Sequence, residues 1–376
     1  MTDVRAMLVG KVNDVWTRRV ETISSDALGE GEVLIAVEYS CINYKDGLST
    51  TEKGKVARID PLIPGVDLAG TVVESSDASI AVEYSCINYK DGLSTTEKGK
   101  VARIDPLIPG VDLAGTVVES SVASVAVGSK VIVHGNDIGV AHNGGFATMA
   151  RVPAKWVIPV PAGLTTKTAM MVGTAGFTAA MSVDALERAG LKTGSGPVIV
   201  TGATGGVGSY AVGMLAARGY EVVASTGKAS EGEWLKSIGA TDIIDRSETS
   251  VEQTKPLEKE RWAGAVDCVG GNTLAYVLRT LKYGASVAAS GLTGGANLPT
   301  TVLPFILRGV NLLGIDSVNG SMDDRKMMWT RIATDLKPTW LDTQESIVVG
   351  LDTVEPCLDA ILKGQVKSRV LVDPHI

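Results

Sequence analysis

The chain has 376 residues, 45% hydrophobic and 20% charged, and can therefore bury two domain cores rather than one. Lys and Arg number 35 against 42 Asp and Glu, and this net charge of −7 argues against nucleic acid or an anionic membrane as the main partner. The charged N-terminal residues, and the lack of an apolar run near the ~20 residues of a membrane span, predict a soluble, cytoplasmic protein.

A tandem repeat dominates the first third of the sequence. Residues 35–79 (copy one) return as residues 80–124 (copy two) with one change, Asp77 becoming Val122. Solenoid proteins need about three units whose sequences have drifted apart, so two near-identical copies do not predict a repeat fold. They indicate a recent duplication, or an error in assembling or annotating the gene. Without one copy, the parent protein would have 331 residues.

Short β-branched runs separated by Gly, Asp and Pro fill residues 1–165 and predict an all-β domain. These runs are AMLVG, VWTRRVE, EVLIAVEYSCIN, VDLAGTVVE and KVIVHG. A single barrel cannot bury both copies of the repeat, so Tyr44 and Tyr89 compete for one place. The barrel could use copy one, use copy two, or take its first strands from one copy and the rest from the other. The intact lead-in EVLIAVEYS favours copy one.

From residue 166 the pattern changes from β to alternating α and β. Residues 166–189 predict a long helix, after which PVIVTG, YEVVAST, TDIID, AVDCVG, ASVAAS and NLLGID alternate with helical stretches. Strict alternation predicts a doubly wound parallel sheet over residues 166–325. Residues 326–376 are expected to pack back on the first domain, because the sheet already has six strands.

The strongest chemical signal is PVIVTGATGGVGSYAVGMLAARG, residues 197–219. An apolar strand runs into glycines at 202, 205, 206 and 208 and then into a helix. Glycines permit a tight turn and let backbone N–H groups approach a pyrophosphate at the helix N-terminus. Because strand, turn and helix stand in the required order, the segment predicts a dinucleotide site rather than an ordinary glycine-rich loop.

The end of the next strand indicates which dinucleotide is bound. A site for NAD would place Asp or Glu there to hold the ribose 2′-hydroxyl. The chain instead has Ser225, Thr226, Gly227 and Lys228. Hydroxyls and a cation suit a 2′-phosphate, although Lys228 could also be a solvated surface lysine. We therefore predict NADP, used as NADPH.

Metal catalysis is not expected. Cys41 and Cys86 are one position counted twice, so the parent has three widely spaced cysteines, which form no disulfide framework. No pair among His134, His142 and His375 has the spacing of metal ligands.

Six segments together carry a resemblance to a known family. They are NYKDGL, PGVDLAGTV, GTAGFTA, TGATGGVGS, KPLEKERWAGAVDCVGG and LPTTVLPFILRGVNLLGIDSV. The chain resembles the zinc-independent medium-chain dehydrogenase/reductases, and within them the acryloyl-CoA reductase branch of the quinone oxidoreductase family. The resemblance implies a GroES-like β-barrel domain with an inserted Rossmann domain, an active site in the cleft between the domains, and NADPH-dependent reduction of acryloyl-CoA to propionyl-CoA.

The resemblance also implies roles for individual residues. Asn43 and Tyr44, or their equivalents Asn88 and Tyr89, would lie beside the nicotinamide, with the tyrosine either donating a hydrogen bond to the substrate enolate or serving packing. Asp46 would hold a backbone turn or orient Tyr44, the turn being favoured. The implied cofactor-binding residues are Thr174 at the carboxamide, Thr204, Gly205, Gly206 and Val207 at the pyrophosphate, Ser225, Thr226 and Lys228 at the 2′-phosphate, and Ser290, Gly291 and Leu292 at the nicotinamide ribose.

Two other functions remain open on the sequence alone. One is an NADPH-dependent quinone or 2-alkenal reductase, which would share fold and cofactor. The other is a non-enzymatic NADPH-binding protein whose cleft is spoiled by the extra copy. In each case we expect the chain to form a homodimer. The enzymes would bind a small-molecule substrate, an acyl-CoA or an enone.

Overall fold

The structure, a computed structural model, divides the chain into two compact units. It describes residues 3–13, 15–28, 34–43, 46, 54–55, 59–62, 67–72, 78–96, 99–120, 122, 124–252 and 255–376. Unit 1 comprises Met1–Thr174, Val318–Trp329 and Gln344–Ile376, and unit 2 comprises Ala175–Ser317 and Thr330–Thr343.

Unit 1 begins with the predicted β-rich region. Its strands are β1 (Asp3–Val12), β2 (Val15–Ser24), β3 (Leu34–Asn43), β4 (Gly54–Lys55), β5 (Ile59–Leu62), β6 (Asp67–Val72), β7 (Ala78–Asp91), β8 (Gly99–Lys100), β9 (Asp105–Leu107), β10 (Asp112–Ser120), β11 (Lys130–His134), β12 (Ala150–Arg151) and β13 (Ile158–Pro159). Short 3-10 helices lie at Ser25–Leu28 and Ala154–Trp156. Strands β1 and β2 form an antiparallel hairpin that buries Val4, Ala6 and Val9.

The two copies of the repeat occupy the same strand positions. Strand β3 aligns with β7 residue for residue, Cys41 with Cys86 among them, and β6 aligns with β10 in the same way. A close-packed interior has room for one side chain at each position. One molecule can therefore fill each of these positions with only one of the two copies.

A long helix, α1 (Thr166–Arg188), carries the chain from unit 1 into unit 2, as the sequence predicts. It is kinked at Gly173, whose φ of 49° and ψ of −164° are not helical. By length and composition alone α1 could cross a membrane. However, 72% of its most apolar window is buried inside the protein, which is typical of a core helix.

Unit 2 contains the predicted parallel sheet. Its elements are β14 (Val198–Thr201), α2 (Gly206–Ala217), β15 (Val222–Thr226), α3 (Gly232–Ser237), β16 (Asp242–Asp245), α4 (Arg246–Thr249), β17 (Trp262–Asp267), α5 (Gly271–Thr280), β18 (Leu281–Ala289), α6 (Leu303–Arg308) and β19 (Asn311–Gly314), with a 3-10 turn at Ala229–Glu231. All six strands are parallel, in the order β16-β15-β14-β17-β18-β19. This order is that of a doubly wound nucleotide-binding fold, and the prediction is confirmed.

The C-terminal region contributes to both units. Its elements are α7 (Met322–Ala333), β20 (Ile347–Val349), a 3-10 turn (Leu351–Thr353), α8 (Val354–Leu362) and β21 (Val370–Val372). Strand β21 pairs with β3 in unit 1. The stretch Thr330–Thr343, given to the return segment on sequence grounds, lies instead in unit 2. There Trp340 packs edge to face on Tyr210 of α2, with ring centroids 5.0 Å apart.

The β-strands of unit 1 form two main sheets. One has four strands in the order β2-β1-β5-β9. The other contains β13, β11, β21 and β20, with one strand position shared by β10 and β6 and another shared by β7 and β3, and β12 is paired to β3. The NYKD motif of copy two, Asn88–Asp91, forms the C-terminal end of β7.

Candidate functional site

The glycine-rich turn between β14 and α2 is closely packed on itself. Gly205 donates its N–H to the carbonyl of Gly202 at 3.0 Å, and Ala203 donates to the carbonyl of Ser225 at 3.1 Å. A side chain at Gly208 would contact the Gly202 carbonyl and bring its Cβ within 2.7 Å of the Ala203 Cα. Only a residue without Cβ fits there, so the sequence builds the tight turn that a pyrophosphate site needs.

The N-terminus of α2 is suited to an anion. The N-cap residue is Gly205, which has no side chain to cap the helix, and the first intrahelical bond runs from Ser209 N to Gly205 O at 2.9 Å. The N–H groups of Gly206, Val207 and Gly208 precede that bond and have no carbonyl within the helix to bind. Together with the helix dipole they fit the phosphates of a dinucleotide.

The end of β15 is a buried cluster of hydroxyl groups. Ser225 Oγ lies 3.2 Å from Thr249 Oγ1, and Thr226 Oγ1 accepts a hydrogen bond of 3.0 Å from the N–H of Lys228. Thr204 Oγ1 lies 3.4 Å from Thr226 Oγ1, which ties the phosphate turn to this strand end. The structure thus brings Thr204, Ser225, Thr226 and Lys228 together.

A second cation lies at this strand end that sequence reasoning missed. The guanidinium of Arg246 packs against Gly227, where the Cβ of any side chain would lie 2.8 Å from Arg246 Cζ. The neighbouring acid, Asp245, accepts a hydrogen bond of 2.8 Å from Ser247 N and caps its own helix. The signal in the sequence was the Arg that directly follows the strand TDIID. Lys228 and Arg246 therefore flank the end of β15 with positive charge.

The carboxyl ends of β18 and β19 border a cavity of about 450 Å³. Ser290, Gly291 and Leu292 line it together with Gly314, Ile315 and Asp316. Ser290 N donates to the carbonyl of Asp267 at 3.0 Å, which fixes the loop to the end of β17. Ligands of doubly wound sheets bind at this edge, so the position of Ser290 and Leu292 suits a cofactor.

In unit 1, the buried carboxylate of Asp112 gathers two of the predicted site residues. It accepts hydrogen bonds from Asn88 Nδ2 at 2.7 Å, from Thr174 N at 2.6 Å and from the Thr174 hydroxyl. Arg369 Nη2 lies 3.6 Å from the same carboxylate and Arg369 Nη1 donates to Asn88 Oδ1 at 3.0 Å. Asp112 and Arg369 were not predicted as site residues. The PGVD motif was a sequence signal for Asp112, and the sequence analysis had none for Arg369.

The kink in α1 is part of the same arrangement. A Cβ on Gly173 would lie 2.8 Å from Asp112 Oδ2 and would also contact Arg369 and Cys86. Its φ of 49° is in the left-handed region that favours glycine. Gly173 thus lets the chain turn so that Thr174 N points at the Asp112 carboxylate.

A second buried carboxylate holds the loop that carries the candidate catalytic pair. Asp91 Oδ2 accepts from Asn88 N at 2.7 Å, and Oδ1 accepts from Gly110 N and Val111 N, each at 3.2 Å. The NYKD and PGVD motifs are therefore fixed to each other through backbone groups. This is the structural role expected for Asp46, here made by its equivalent in copy two.

The two candidate tyrosines differ in what the structure describes. Tyr44 lies outside the described residues, and of Asn43 only the backbone pairing is described. Tyr89 is half-buried and its side chain packs against the apolar cluster of Val9, Ala102 and Leu107. The proposed catalytic role of the tyrosine stays a prediction.

One group of potential metal ligands occurs among the described residues, formed by Cys41, Cys86 and Asp112. The two cysteines are the same position in the two copies, so the group offers one thiol and one carboxylate. Arg369 donates a hydrogen bond of 2.8 Å to Cys41 Sγ, which puts a positive charge against the sulfur. Two ligands beside a guanidinium do not fit the four-coordinate sites that zinc prefers.

Two family models match the chain. The alcohol dehydrogenase GroES-like domain matches twice, over residues 29–79 and again over 74–162, once through each copy of the repeat. The zinc-binding dehydrogenase model matches residues 206–334.

Similar proteins span almost the whole chain. The acrylyl-CoA reductase AcuI of Ruegeria pomeroyi is 52% identical over 94% of this chain and 93% of its own length. YhfP of Bacillus subtilis, named as a candidate quinone oxidoreductase, is 50% identical over 98% of both, and its crystal structure with NAD bound matches with a TM-score of 0.84 at 42% identity, covering 99% of this chain and 100% of that one. The yhdH oxidoreductase of Salmonella enterica, solved with NADP, matches with a TM-score of 0.83 at 38% identity, covering 98% and 99%.

Proposed function

Because this chain belongs to the zinc-independent medium-chain dehydrogenase/reductases, in the branch of the acrylyl-CoA reductases, we propose that it reduces the carbon–carbon double bond of acryloyl-CoA to give propionyl-CoA, using NADPH. The observation that carries the proposal is the 52% identity to AcuI along 94% of the chain. The phosphate turn and the two cations at the end of β15 support the cofactor.

The cofactor supplies a hydride when bound, and residues of unit 2 would hold it. The backbone N–H groups of Gly206 and Val207 would bind the pyrophosphate in the turn that Thr204 and Gly205 form. Lys228 and Arg246 would pair with the 2′-phosphate, with Ser225 and Thr226 shaping the strand end. Ser290 and Leu292 would contact the nicotinamide ribose, and Thr174 of unit 1, oriented by Asp112, its carboxamide.

Reduction of an enoyl thioester places negative charge on the thioester oxygen. A positioned hydrogen-bond donor lowers the energy of that enolate before the α-carbon takes a proton. The tyrosine of NYKD, Tyr44 or Tyr89, would be this donor, and the neighbouring Asn43 or Asn88 would orient the nicotinamide. Water can deliver the final proton, so a second acid is not needed.

The decisive experiment follows the loss of NADPH absorbance when acryloyl-CoA is added to the purified chain. A variant that lacks residues 80–124 serves as the single-copy reference. Turnover by the full chain supports the proposal. Binding of NADPH without turnover in the full chain, and turnover after the deletion, would instead support a cofactor-binding protein disabled by its second copy.

A quinone or 2-alkenal reductase is the second candidate, favoured by the 50% identity to YhfP. Acryloyl-CoA, a 2-alkenal and a quinone would each take a hydride from the same cofactor. Comparing kcat/KM for acryloyl-CoA, a simple enal and a quinone separates them, because only the acyl-CoA reductase should prefer the thioester by about tenfold or more.

We also propose a homodimer in the cytoplasm. Strand β19 is the edge of the six-stranded sheet, and Leu312 on it is exposed along with Val302, Ile306 and Leu307 nearby. An exposed edge with apolar neighbours suits pairing with the same edge of a second copy. Light scattering of the purified chain tests this, with Leu307→Glu expected to shift a dimer towards monomer and Tyr283→Glu as the control.

A further inference from the structure

The side chain of Asp267 ends strand β17, in the middle of the parallel sheet, and is fully buried. Its Oδ1 accepts a hydrogen bond of 2.7 Å from the Thr201 hydroxyl, and its Oδ2 accepts one of 2.8 Å from the N–H of Gly270. The Thr201 hydroxyl oxygen in turn accepts a bond of 3.1 Å from the N–H of Cys268. One carboxylate therefore joins the last residue of β14 to the loop that follows β17.

The Asp267 carboxylate depends on these donors. A buried carboxylate is costly unless its oxygens accept hydrogen bonds. Burial raises the pKa of Asp267, and the hydrogen bonds from Thr201, Gly270 and Val269 oppose that rise. Because the donors share two oxygen atoms, the carboxylate fixes the distance between the end of β14 and the loop after β17.

The loop after β17 carries the loop after β18 on its backbone. Gly294 donates its N–H to the carbonyl of Val269 at 2.7 Å. A Cβ on Gly270 would lie 2.6 Å from the Gly295 carbonyl oxygen, and a Cβ on Gly271 would lie 2.8 Å from the Gly294 carbonyl oxygen. The two loops touch with no room for a side chain between them, so a shift of the first loop must move the second.

The loop after β18 is also bonded to the end of β17 itself. Ser290 donates its N–H to the Asp267 carbonyl at 3.0 Å, and the Thr293 hydroxyl donates to the Cys268 carbonyl at 3.3 Å. Ser290 begins the part of this loop that borders the cavity. Both the side chain and the main chain of Asp267 therefore determine where this wall of the cavity lies.

At its other end the connection reaches the phosphate turn. Thr201 is the last residue of β14 and is followed directly by Gly202. The carbonyl of Gly202 accepts the N–H of Gly205, which closes the turn. The contacts therefore run without a break from the phosphate turn, through Asp267, to the loop of Ser290.

We propose that Asp267 is a positioning residue that sets the distance between the two halves of the cofactor site, the phosphate turn and the loop that begins at Ser290. This proposal rests on the proposed function, which assigns the pyrophosphate to the first and the nicotinamide ribose to the second. A dinucleotide held at both has its nicotinamide in one place, and hydride transfer is sensitive to displacements of about 1 Å. Asp267 acts through the two loops rather than on the reacting atoms.

Thr201→Val tests the connection with little change of shape, because a methyl group replaces the hydroxyl. It removes the donor to Asp267 and the acceptor for the N–H of Cys268. NADPH affinity should fall by about threefold to tenfold, and kcat with acryloyl-CoA by at least about tenfold. Adenosine 2′,5′-bisphosphate, a probe with the 2′-phosphate but no nicotinamide, should bind within about twofold of the unaltered chain. Isothermal titration calorimetry measures both affinities.

Thr280→Val is the matched control. The Thr280 hydroxyl is buried and donates 2.7 Å to the Tyr276 carbonyl, at the end of α5 farthest from Gly271. This variant should melt at a lower temperature and keep both affinities and kcat within about twofold. Thr201→Ser retains the hydroxyl and should lose less than about threefold in NADPH affinity.

The direct variant, Asp267→Asn, should show the same difference between the two nucleotides, and the Thr201 variants decide the matter if it does not fold. Equal weakening of NADPH and adenosine 2′,5′-bisphosphate by Thr201→Val would indicate a general loss of structure and would overturn the proposal. Unchanged NADPH affinity, or the same pattern in Thr280→Val, would overturn it as well. If the unaltered chain binds NADPH and reduces none of the acceptors, the proposed function fails, and the ratio of the two affinities still decides whether Asp267 positions the nicotinamide half.

Discussion

The indole N–H of Trp329 donates a hydrogen bond of 2.8 Å to Nε2 of His134. The other ring nitrogen, Nδ1, lies 3.3 Å from Nη1 of Arg325, and all three side chains are buried. Burial, and next the charge of Arg325, hold the pKa of His134 well below its usual value. Because a protonated Nε2 cannot accept the tryptophan bond, this contact between α7 and β11 requires a neutral imidazole.

Stability should therefore fall as the pH drops below about 6.5, the ordinary pKa of histidine. In that range the unfolded His134 binds a proton that the folded one does not, so acid favours unfolding. The glutamine of His134→Gln does not titrate. We therefore expect the melting temperature of this variant to fall less between pH 7 and pH 5 than that of the unaltered chain. Thermal unfolding at several pH values measures this. His375→Gln, an exposed control, should follow the unaltered chain, and parallel curves for His134→Gln would contradict the prediction.

A buried ion network should stabilise unit 2. Arg331 Nη1 lies 2.6 Å from Asp184, and Nη2 lies 2.8 Å from Glu187. Burial acts to raise the pKa of Glu187, but the hydrogen bonds from Arg331 and Arg218 outweigh it and lower the pKa. Arg331→Ala leaves two half-buried carboxylates without this partner and should cost about 1–3 kcal/mol of unfolding free energy.

Denaturant unfolding measures that loss, with Lys236→Ala as its control. Lys236 pairs with Glu233 at 3.1 Å on the exposed surface, where an ion pair contributes about 0–1 kcal/mol. If Arg331→Ala and Lys236→Ala lost similar amounts of unfolding free energy, burial of the Arg331 network would not add to its stabilising effect, and the prediction would be wrong.

Arg246 and Lys228 should select the phosphorylated cofactor. A charge-assisted hydrogen bond contributes about 1.5–3 kcal/mol, so Arg246→Ala should weaken NADPH binding by roughly tenfold or more. Binding of NADH, which has no 2′-phosphate, should change by less than about twofold. Fluorescence titration with both nucleotides measures the difference, and Lys236→Ala should alter neither. Equal weakening for the two nucleotides would exclude a 2′-phosphate contact.

The glycine-rich turn should be intolerant of a single methyl group. In Gly208→Ala the new Cβ would meet the Gly202 carbonyl and the Ala203 Cα, so the turn must open, at a cost of about 1–3 kcal/mol. NADPH affinity should fall by about tenfold or more. Gly232→Ala is the matched control, since a Cβ there meets nothing within 4 Å, and it should bind NADPH normally. Normal binding by Gly208→Ala would show that the turn is not the phosphate site.

The sequence predicted unit 2 well because each of its signals is local. The strand PVIVTG, the glycines after it and the apolar helix follow one another directly in residues 197–219. The strict alternation of strands and helices, with right-handed crossovers, then sets the strand order. The stretch 330–343 gave no such signal, because its place in unit 2 depends on the packing of Trp340 on Tyr210, far away in sequence.

The site in unit 1 was predicted only in part for the same reason. Asn88 and Thr174 belong to motifs that can be read directly. Asp112 and Arg369 join the candidate site only through contacts with each other and with those motifs, across most of the chain length. No local pattern reports such contacts, so their roles required the fold.

The kink at Gly173 links two positions in evolution. A Cβ there would lie 2.8 Å from the carboxylate of Asp112, so a larger residue at 173 fits only beside a shorter side chain at 112. A change at either position therefore requires a compensating change at the other, and the two positions should covary in related sequences.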